Sequence, residues 1–473
     1  MAITSVLSGP SATRPAPWRA LPVLLTGAFL PVLDAFIVNV ALPSIGGSLR
    51  AGPAELELTV SGYGVAYACA LVAGGRLGDR FGRRRLFMVG MLAFTLMSTG
   101  CGLAPSTAAL IGFRVAQGLA AALMFPQVLA AIQAGFSGAE RQRAVGVFGA
   151  VIGAAGAVGQ VFGGWLLSAD VAGLSWRPLF LVNVPVGVLA LLLCRRLVPE
   201  TRSDSAPRVD VRGAVFLAVA IALVLVPATL GRADGWPLWT WLCLAGAVPV
   251  GIAFAVSQHR SEASGGTPLL PPSLLRLPAA RRALVAVTLF ASCIGGFLFT
   301  TAITLQVGHG FTPVGAGLAM GPCTLAFLGV AVCTGRLVAR YGTRLLVVGA
   351  VTFAVGLAGF GAVVALSDRV TVLGAALPLA VAGAGWAALL VPLVGLVLAG
   401  LPAERAGLAG GVLSTALQIG LALGASVLGS VLFAIVGTGG DPGRWRAATL
   451  TGVAVECALA LTVAAIVGRL RAR

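Results

Sequence analysis

Asp34 stands alone as a charged residue between Leu21 and Leu49. An ionised side chain at the centre of an apolar helix costs about 2.5–3.5 kcal/mol on insertion scales, so the position needs a use. A carboxylate that alternates between apolar packing and a water-filled cavity can take up and release a proton. It can also pair with a cationic solute. The plainer alternative is a structural partner for a neighbouring polar group. Asn39, five residues on, reads as a residue of the same cavity.

Arg114 and Gln117 are spaced i and i+3, which puts both on one helix face. Counting at about 1.5 Å per residue from the helix ends, Arg114 falls within a turn or two of Asp34 in depth. Arg114 is therefore expected to govern how tightly Asp34 holds its proton; the alternative is that it snorkels to the outer surface. Glu456, within "TGVAVECALALT", is a further acid in an apolar run. It is a candidate second protonation site, or a structural acid at the lipid edge. Gln160, Trp386 and Gln418 join Asn39 and Gln117 as candidates to line a solute cavity, although amides and aromatics in such runs more often pack. Asp368, Glu404 and Asp441 fall in loops, as does His309, which reads as inert.

The elements that position these residues follow from composition. Of 473 residues, 58% are hydrophobic and 10% charged, against about 25% charged in soluble domains. The class is an all-α polytopic membrane protein. Apolar runs of about 20 residues number fourteen, centred near Asp34, Tyr67, Ala93, Leu119, Gly156, Val186, Ile221, Gly246, Gly295, Leu325, Thr352, Gly385, Gln418 and Leu459. The first twenty residues lack a basic segment followed by an apolar core and read as a short tail rather than a cleaved signal.

The net charge is +17, and every basic residue except the two histidines is arginine. On a soluble domain this would suggest nucleic acid. Here, with fourteen spans, the arginines collect in one alternating set of loops and at both termini. The opposite loops hold only Arg50, Arg177, Arg232, Arg369, Arg444 and Arg446. That bias places both termini in the cytoplasm and accounts for the charge without nucleic acid. The eight cysteines lie singly, without metal-ligand spacing, and read as small buried hydrophobes. No phosphate-cradling GxxxxGK[ST] run is present, so energy is expected from a gradient or from a separate partner, and neither cofactor nor metal is expected.

An internal repeat divides the chain. "GRLGDRFGRRRLF" at 75–87 is echoed by "GRLVARYGTRLLV" at 335–347, and "GAERQRAVG" at 138–146 by "PAERAGLAGG" at 402–411, in matching loops. The division is a tail (1–18), a six-helix bundle (19–200), two additional spans with linkers (201–280) and a second six-helix bundle (281–473). Two such bundles in parallel repeat about a midplane site are a transporter architecture.

At these residues the chain resembles the major facilitator superfamily, in its fourteen-span drug:proton antiporter branch. The resemblance rests on "LDAFIVNVALPSI" (33–45), "GRLGDRFGRRR" (75–85), "RVAQGLAAA" (114–122) and "SWRPLFLVNVPVG" (175–187). It implies a cytoplasmic gate built on Gly75, Asp79, Gly82 and Arg83, whose charge contacts break as the cavity opens inward. Arg84 and Arg85 are read as topology signals. In the second copy Ala339 replaces the aspartate. The family's fifth-span antiporter motif is altered: Ala155 stands at its first glycine and Gln160 at its proline, while Gly159, Gly163 and Gly164 remain as helix-packing positions.

The resulting expectation is a proton-coupled exporter of amphipathic drugs, antibiotics or a natural product. It would work by alternating access in the bacterial inner membrane, with no obligatory protein partner. A proton-coupled metabolite symporter of the same fold is the alternative. A membrane-embedded hydrolase is disfavoured, because two histidines cannot supply the clusters such enzymes need.

Overall fold

The computed structural model describes residues 18–201, 210–231, 235–266, 268–270, 272–367, 369–399, 406–437 and 441–469. Fourteen of its helices are long and apolar enough to cross a membrane. They are α1 (Leu21–Leu49), α2 (Pro53–Phe81), α3 (Arg83–Gly102), α4 (Thr107–Gly135), α5 (Gly138–Ser168), α6 (Asn183–Leu197, preceded by the turn Pro178–Leu181), α7 (Val211–Leu230), α8 (Leu238–Ala263), α9 (Pro278–Ile303), α10 (Pro313–Tyr341), α11 (Arg344–Leu366), α12 (Val372–Ala399), α13 (Ala406–Val436) and α14 (Pro442–Gly468). Every expected span centre falls inside one of them. Proline sits in the first turn of α1, α2, α9, α10 and α14, where its missing N–H would be unpaired in any case.

The repeat seen in the sequence is a repeat of packing. In the N-terminal half α1 packs on α5, α2 on α4, α3 on α4 and α6, and α1 on α6. Eight helices on, α9 packs on α13, α10 on α12, α11 on α12 and α14, and α9 on α14. One apolar core is drawn wholly from residues 283–467, and two others from within 20–198. The halves meet along two seams, α5 on α10 and α2 on α13. Exchanging the halves turns each seam into the other.

The shared glycines of the repeat have a backbone cause. Gly82, between α2 and α3, has φ +102°, and Gly342, between α10 and α11, has φ +55°. L-residues rarely adopt such angles, so both tight turns need glycine at the same register.

The two additional helices are unequal. α7 lies against both α2 and α13, with Ile221 and Leu225 buried beside Ala68, Ile419 and Leu423. α8 leans mainly on α7 and is otherwise turned outward.

Candidate functional site

Asp34 is completely buried. Arg114 Nη1 donates to its Oδ2, Gln117 Nε2 to its Oδ1 at 3.0 Å, and Asn183 Nδ2 to the same oxygen at 2.9 Å. The carboxylate of α1 is thus held by donors from α4 and α6. Arg114 is as buried as its partner, so it does not snorkel. Its Nε donates to the Thr59 carbonyl at 3.0 Å, its Nη1 also to Gln117 Oε1 at 2.9 Å, and the guanidinium lies 4.3 Å over the Tyr63 ring. Tyr63 is itself fixed, its hydroxyl donating to the Pro31 carbonyl at 2.9 Å.

The spacing of Arg114 and Gln117 does on one helix face what i, i+3 geometry allows. Gln117 therefore belongs to the Asp34 network, not to an open solute cavity. Asn39 does not belong to it: its Nδ2 bonds back to the Ala35 carbonyl at 3.3 Å. At 100° per residue, five residues turn it about 140° away from Asp34. Sequence reasoning missed Asn183 and Ser98, which are linked at 3.0 Å. The one available clue was that Asn183 is the polar residue in "LFLVNVPVG". Arg114 Nη2 and Asn183 Oδ1 are buried without a hydrogen-bond partner, which leaves the network one donor and one acceptor short of satisfaction.

Glu456 on α14 is also buried. Thr300 of α9 donates to its Oε1 at 3.0 Å; among the described residues no cation pairs with it. Nearby, Thr304 and Thr449 hydroxyls bond at 3.1 Å.

At the α2–α3 turn, Arg83 Nη2 meets Asp79 Oδ1 at 3.0 Å, and Arg83 Nη1 donates to the Ala130 carbonyl of α4 at 3.2 Å. Both contacts lie within the N-terminal half. The close approach of α2 to α4 falls at Gly74 and Gly78, against the Ala122 backbone and Gln127. Arg84 is more than a topology signal: its N–H donates to Glu200 Oε1 at 3.1 Å, and its Nε lies 3.6 Å from Oε2. Arg76 reaches furthest, donating to the Pro268 carbonyl beyond α8 at 2.5 Å.

On α5, Gly159 and Gly163 face Leu33 and Ile37 of α1 across backbone-close contacts, and Gly164 is buried beside them. One and a half turns earlier Gly153 receives Phe327 of α10. Phe327 packs on Trp386 of α12, ring centroids 4.9 Å apart, and Trp386 Nε1 is buried without a partner. Trp386 therefore stands at the seam between the halves. The side chains of Gln160 and Gln418, and all of Asp368 and Glu404, lie outside the described residues. Of the eight cysteines, all expected to be buried, Cys101, Cys194, Cys293 and Cys323 are buried, Cys69, Cys243 and Cys457 are half-buried, and Cys333 is exposed. No group of three or more potential metal ligands occurs among the described residues.

A polar network buried within a bundle of fourteen membrane-length helices, repeated in two halves, defines a multi-pass membrane transporter. The chain belongs to the Major Facilitator Superfamily, whose family model matches residues 24–425. It is 33% identical to the "Probable actinorhodin transporter" of Streptomyces coelicolor, over 93% of this chain and 78% of that one. It is 34% identical to the "Tetracenomycin C resistance and export protein" of Streptomyces glaucescens, over 97% and 84%. It is 33% identical to the "Multidrug resistance protein Stp" of Mycobacterium tuberculosis, over 90% and 75%. The fold is shared with the human organic anion transporter MFSD10 (TM-score 0.68, 17% identity, 95% and 99% covered). It is also shared with the proton:xylose symporter XylE (TM-score 0.62, 15% identity, 95% of each chain covered).

Proposed function

We propose that this chain is a proton-driven exporter of amphipathic, drug-like or natural-product molecules, set in a bacterial cell membrane with both termini cytoplasmic. The observation that carries the reading is the buried Asp34–Arg114 pair, cross-tied to α6 by Asn183. The relatives named for antibiotic export and resistance supply the direction and the class of solute. The symport alternative rests on the shared fold and on the altered fifth-span motif, with Ala155 and Gln160 at its first glycine and its proline.

The coupling follows from electrostatics. With Asp34 ionised, three donors tie α1 to α4 and α6. A proton on Asp34 cancels the charge that holds Arg114. Arg114 then keeps the Thr59 carbonyl, Gln117 and the Tyr63 ring, and the hold on α1 loosens. α1 bears on α5 through Gly159 and Gly163, and α5 bears on Phe327 and hence on Trp386. This is a packed path from the proton site to the seam that must open. Glu456 is proposed as a secondary proton site. Asp79, Arg83 and the glycines of their turn are proposed to latch the cytoplasmic ends of α2, α3 and α4.

Everted vesicles holding a respiration-driven pH gradient test the reading. Lipophilic cations, neutral antibiotics and anions are added in turn, and substrate-induced proton efflux is followed. Efflux in wild type that is lost in Asp34→Asn is the expected result. Efflux that persists in Asp34→Asn removes Asp34 from the coupling, and no response to any compound removes the export reading.

A further inference from the structure

Arginines avoid the face of the molecule away from the chain termini, as membrane topology requires. Two of the six that occur there, Arg369 and Arg446, nevertheless come together at one place. Beside them opens a cavity of about 600 Å³ lined by Gly308, His309, Ser367, Arg369, Val370, Pro442, Gly443 and Arg446. Its walls come from three elements: the π-helical segment Thr304–Gly308 that ends α9, the turn between α11 and α12, and the start of α14. Gly308 packs against the Trp445 ring, which fixes the floor.

The polar groups in this cavity are short of partners. His309 Nε2 is buried and makes no hydrogen bond. Arg369 has no hydrogen-bond or ion-pair partner among the described residues. Arg446 spends Nη2 on the Ser367 carbonyl at 3.3 Å. Asp441, folded over the first turn of α14, is the one acid beside the rim among the described residues. The shape next to the cavity is the second observation. Leu366, Leu373 and Leu377, on the two helices joined by the cavity's turn, are 87%, 82% and 73% exposed and give those helix ends an apolar outer surface. Cationic walls at the ends of membrane-length helices, beside exposed leucines on those helices, fit a molecule with an acidic head and a long apolar tail.

We propose that this cavity holds the acidic headgroup of a phospholipid, with its acyl chains lying along Leu366, Leu373 and Leu377. The anion is bound by Arg369 and Arg446 and by His309 through Nε2. This site is separate from the Asp34 network and does not rest on the direction of transport. It gives the loops at this face a bound lipid as part of their packing.

The histidine adds a dependence on pH. Burial, and after it the neighbouring Arg446 charge, hold His309 below its ordinary value. Of the charged groups around the cavity, Arg446 of α14 acts on the ring directly, Arg369 of the α11–α12 turn lines the same cavity, and Asp441 stands at the start of α14. An anion in the cavity favours the protonated ring, so lipid retention tightens as pH falls below the ordinary histidine range, toward the lowered value of the empty site.

The test uses the full chain in nanodiscs of phosphatidylcholine with added phosphatidylglycerol, exchanged into phosphatidylcholine alone. Native mass spectrometry then counts the phosphatidylglycerol that stays. Wild type retains it selectively, and retention falls about fivefold for each arginine removed in Arg369→Gln and in Arg369→Gln/Arg446→Gln. His309→Gln keeps retention at neutral pH and loses its rise on acidification. Should the double variant fail to fold, Arg369→Gln alone decides, since that side chain holds nothing else among the described residues. Unchanged retention in a folded Arg369→Gln overturns the proposal. So does equal retention of phosphatidylcholine, or protection of wild type by inorganic phosphate as effective as that by phosphatidylglycerol, which would make this a site for a free anion.

Discussion

The two halves pack alike and place their buried acids differently. In the N-terminal half the acid is on the first helix, Asp34 of α1, and its sixth-helix partner is the amide Asn183 of α6. In the C-terminal half the acid is on the sixth helix, Glu456 of α14, and its first-helix partner is the hydroxyl Thr300 of α9. The same helix pair thus carries a polar link in both repeats, with the carboxyl on opposite members. The surroundings differ more. Asp34 has a guanidinium and two amides around it; Glu456 has one hydroxyl and, among the described residues, no cation. The first site surrounds its carboxyl with a cation and two amide donors, and the second supplies a hydroxyl. A repeated backbone can therefore host one half that carries a buried ion pair and another whose buried acid is held by a hydroxyl.

Arg114→Ala tests this contrast most severely. It leaves Asp34 buried without its cation, a change of about 3–5 kcal/mol, so thermal unfolding in detergent drops sharply and proton exchange is lost. Adding Asp34→Asn removes the orphaned charge, and the double variant regains stability without regaining coupling. If Arg114→Ala unfolds like wild type, the ion pair is not what holds this half.

Asn183→Ala removes one donor from the ionised oxygen and a link to α6, about 1–3 kcal/mol. Stability falls less than in Arg114→Ala, and proton exchange weakens without vanishing. A loss as large as that of Arg114→Ala would make the α6 tie, not the cation, the dominant element.

The turns sharpen the comparison on the backbone. Alanine at Gly82 or Gly342 has to adopt a positive φ, costing about 1–2 kcal/mol. Gly82→Ala also meets the Glu200 carboxylate at 2.6 Å, whereas the space at Gly342 is open. Gly82→Ala is accordingly the more destabilising of the two in thermal melts, and equal losses would remove the role of Glu200.

Glu456→Gln is the mildest. The amide oxygen still accepts from Thr300, so stability changes by less than about 1 kcal/mol in the same melts. A drop matching that of Arg114→Ala would show that Glu456 also holds a charge, and the contrast between the halves would collapse.

Much of this molecule was legible along the chain. Fourteen spans follow from apolar runs matched to the thickness of a bilayer. The repeat follows from glycines at 82 and 342 that the backbone angles require. Asp34, Arg114 and Gln117 stand out because charge within an apolar helix is costly and i, i+3 spacing fixes a shared face. These are properties of one helix at a time, written in composition and period.

What the tertiary structure decided are meetings between helices far apart in sequence. Asn183 reaches Asp34 across 149 residues, and Glu200 reaches Arg84 across 116. His309, an unremarkable loop residue by sequence, becomes the wall of a basic cavity because α14 and the α11–α12 turn close around it. Asn39 turns away because rotation about a helix axis, not distance along it, selects neighbours. Hydropathy says that a helix is buried in a membrane. Only the packing of one helix against another says which of its faces meets a partner, and the chemistry of the site depends on that choice.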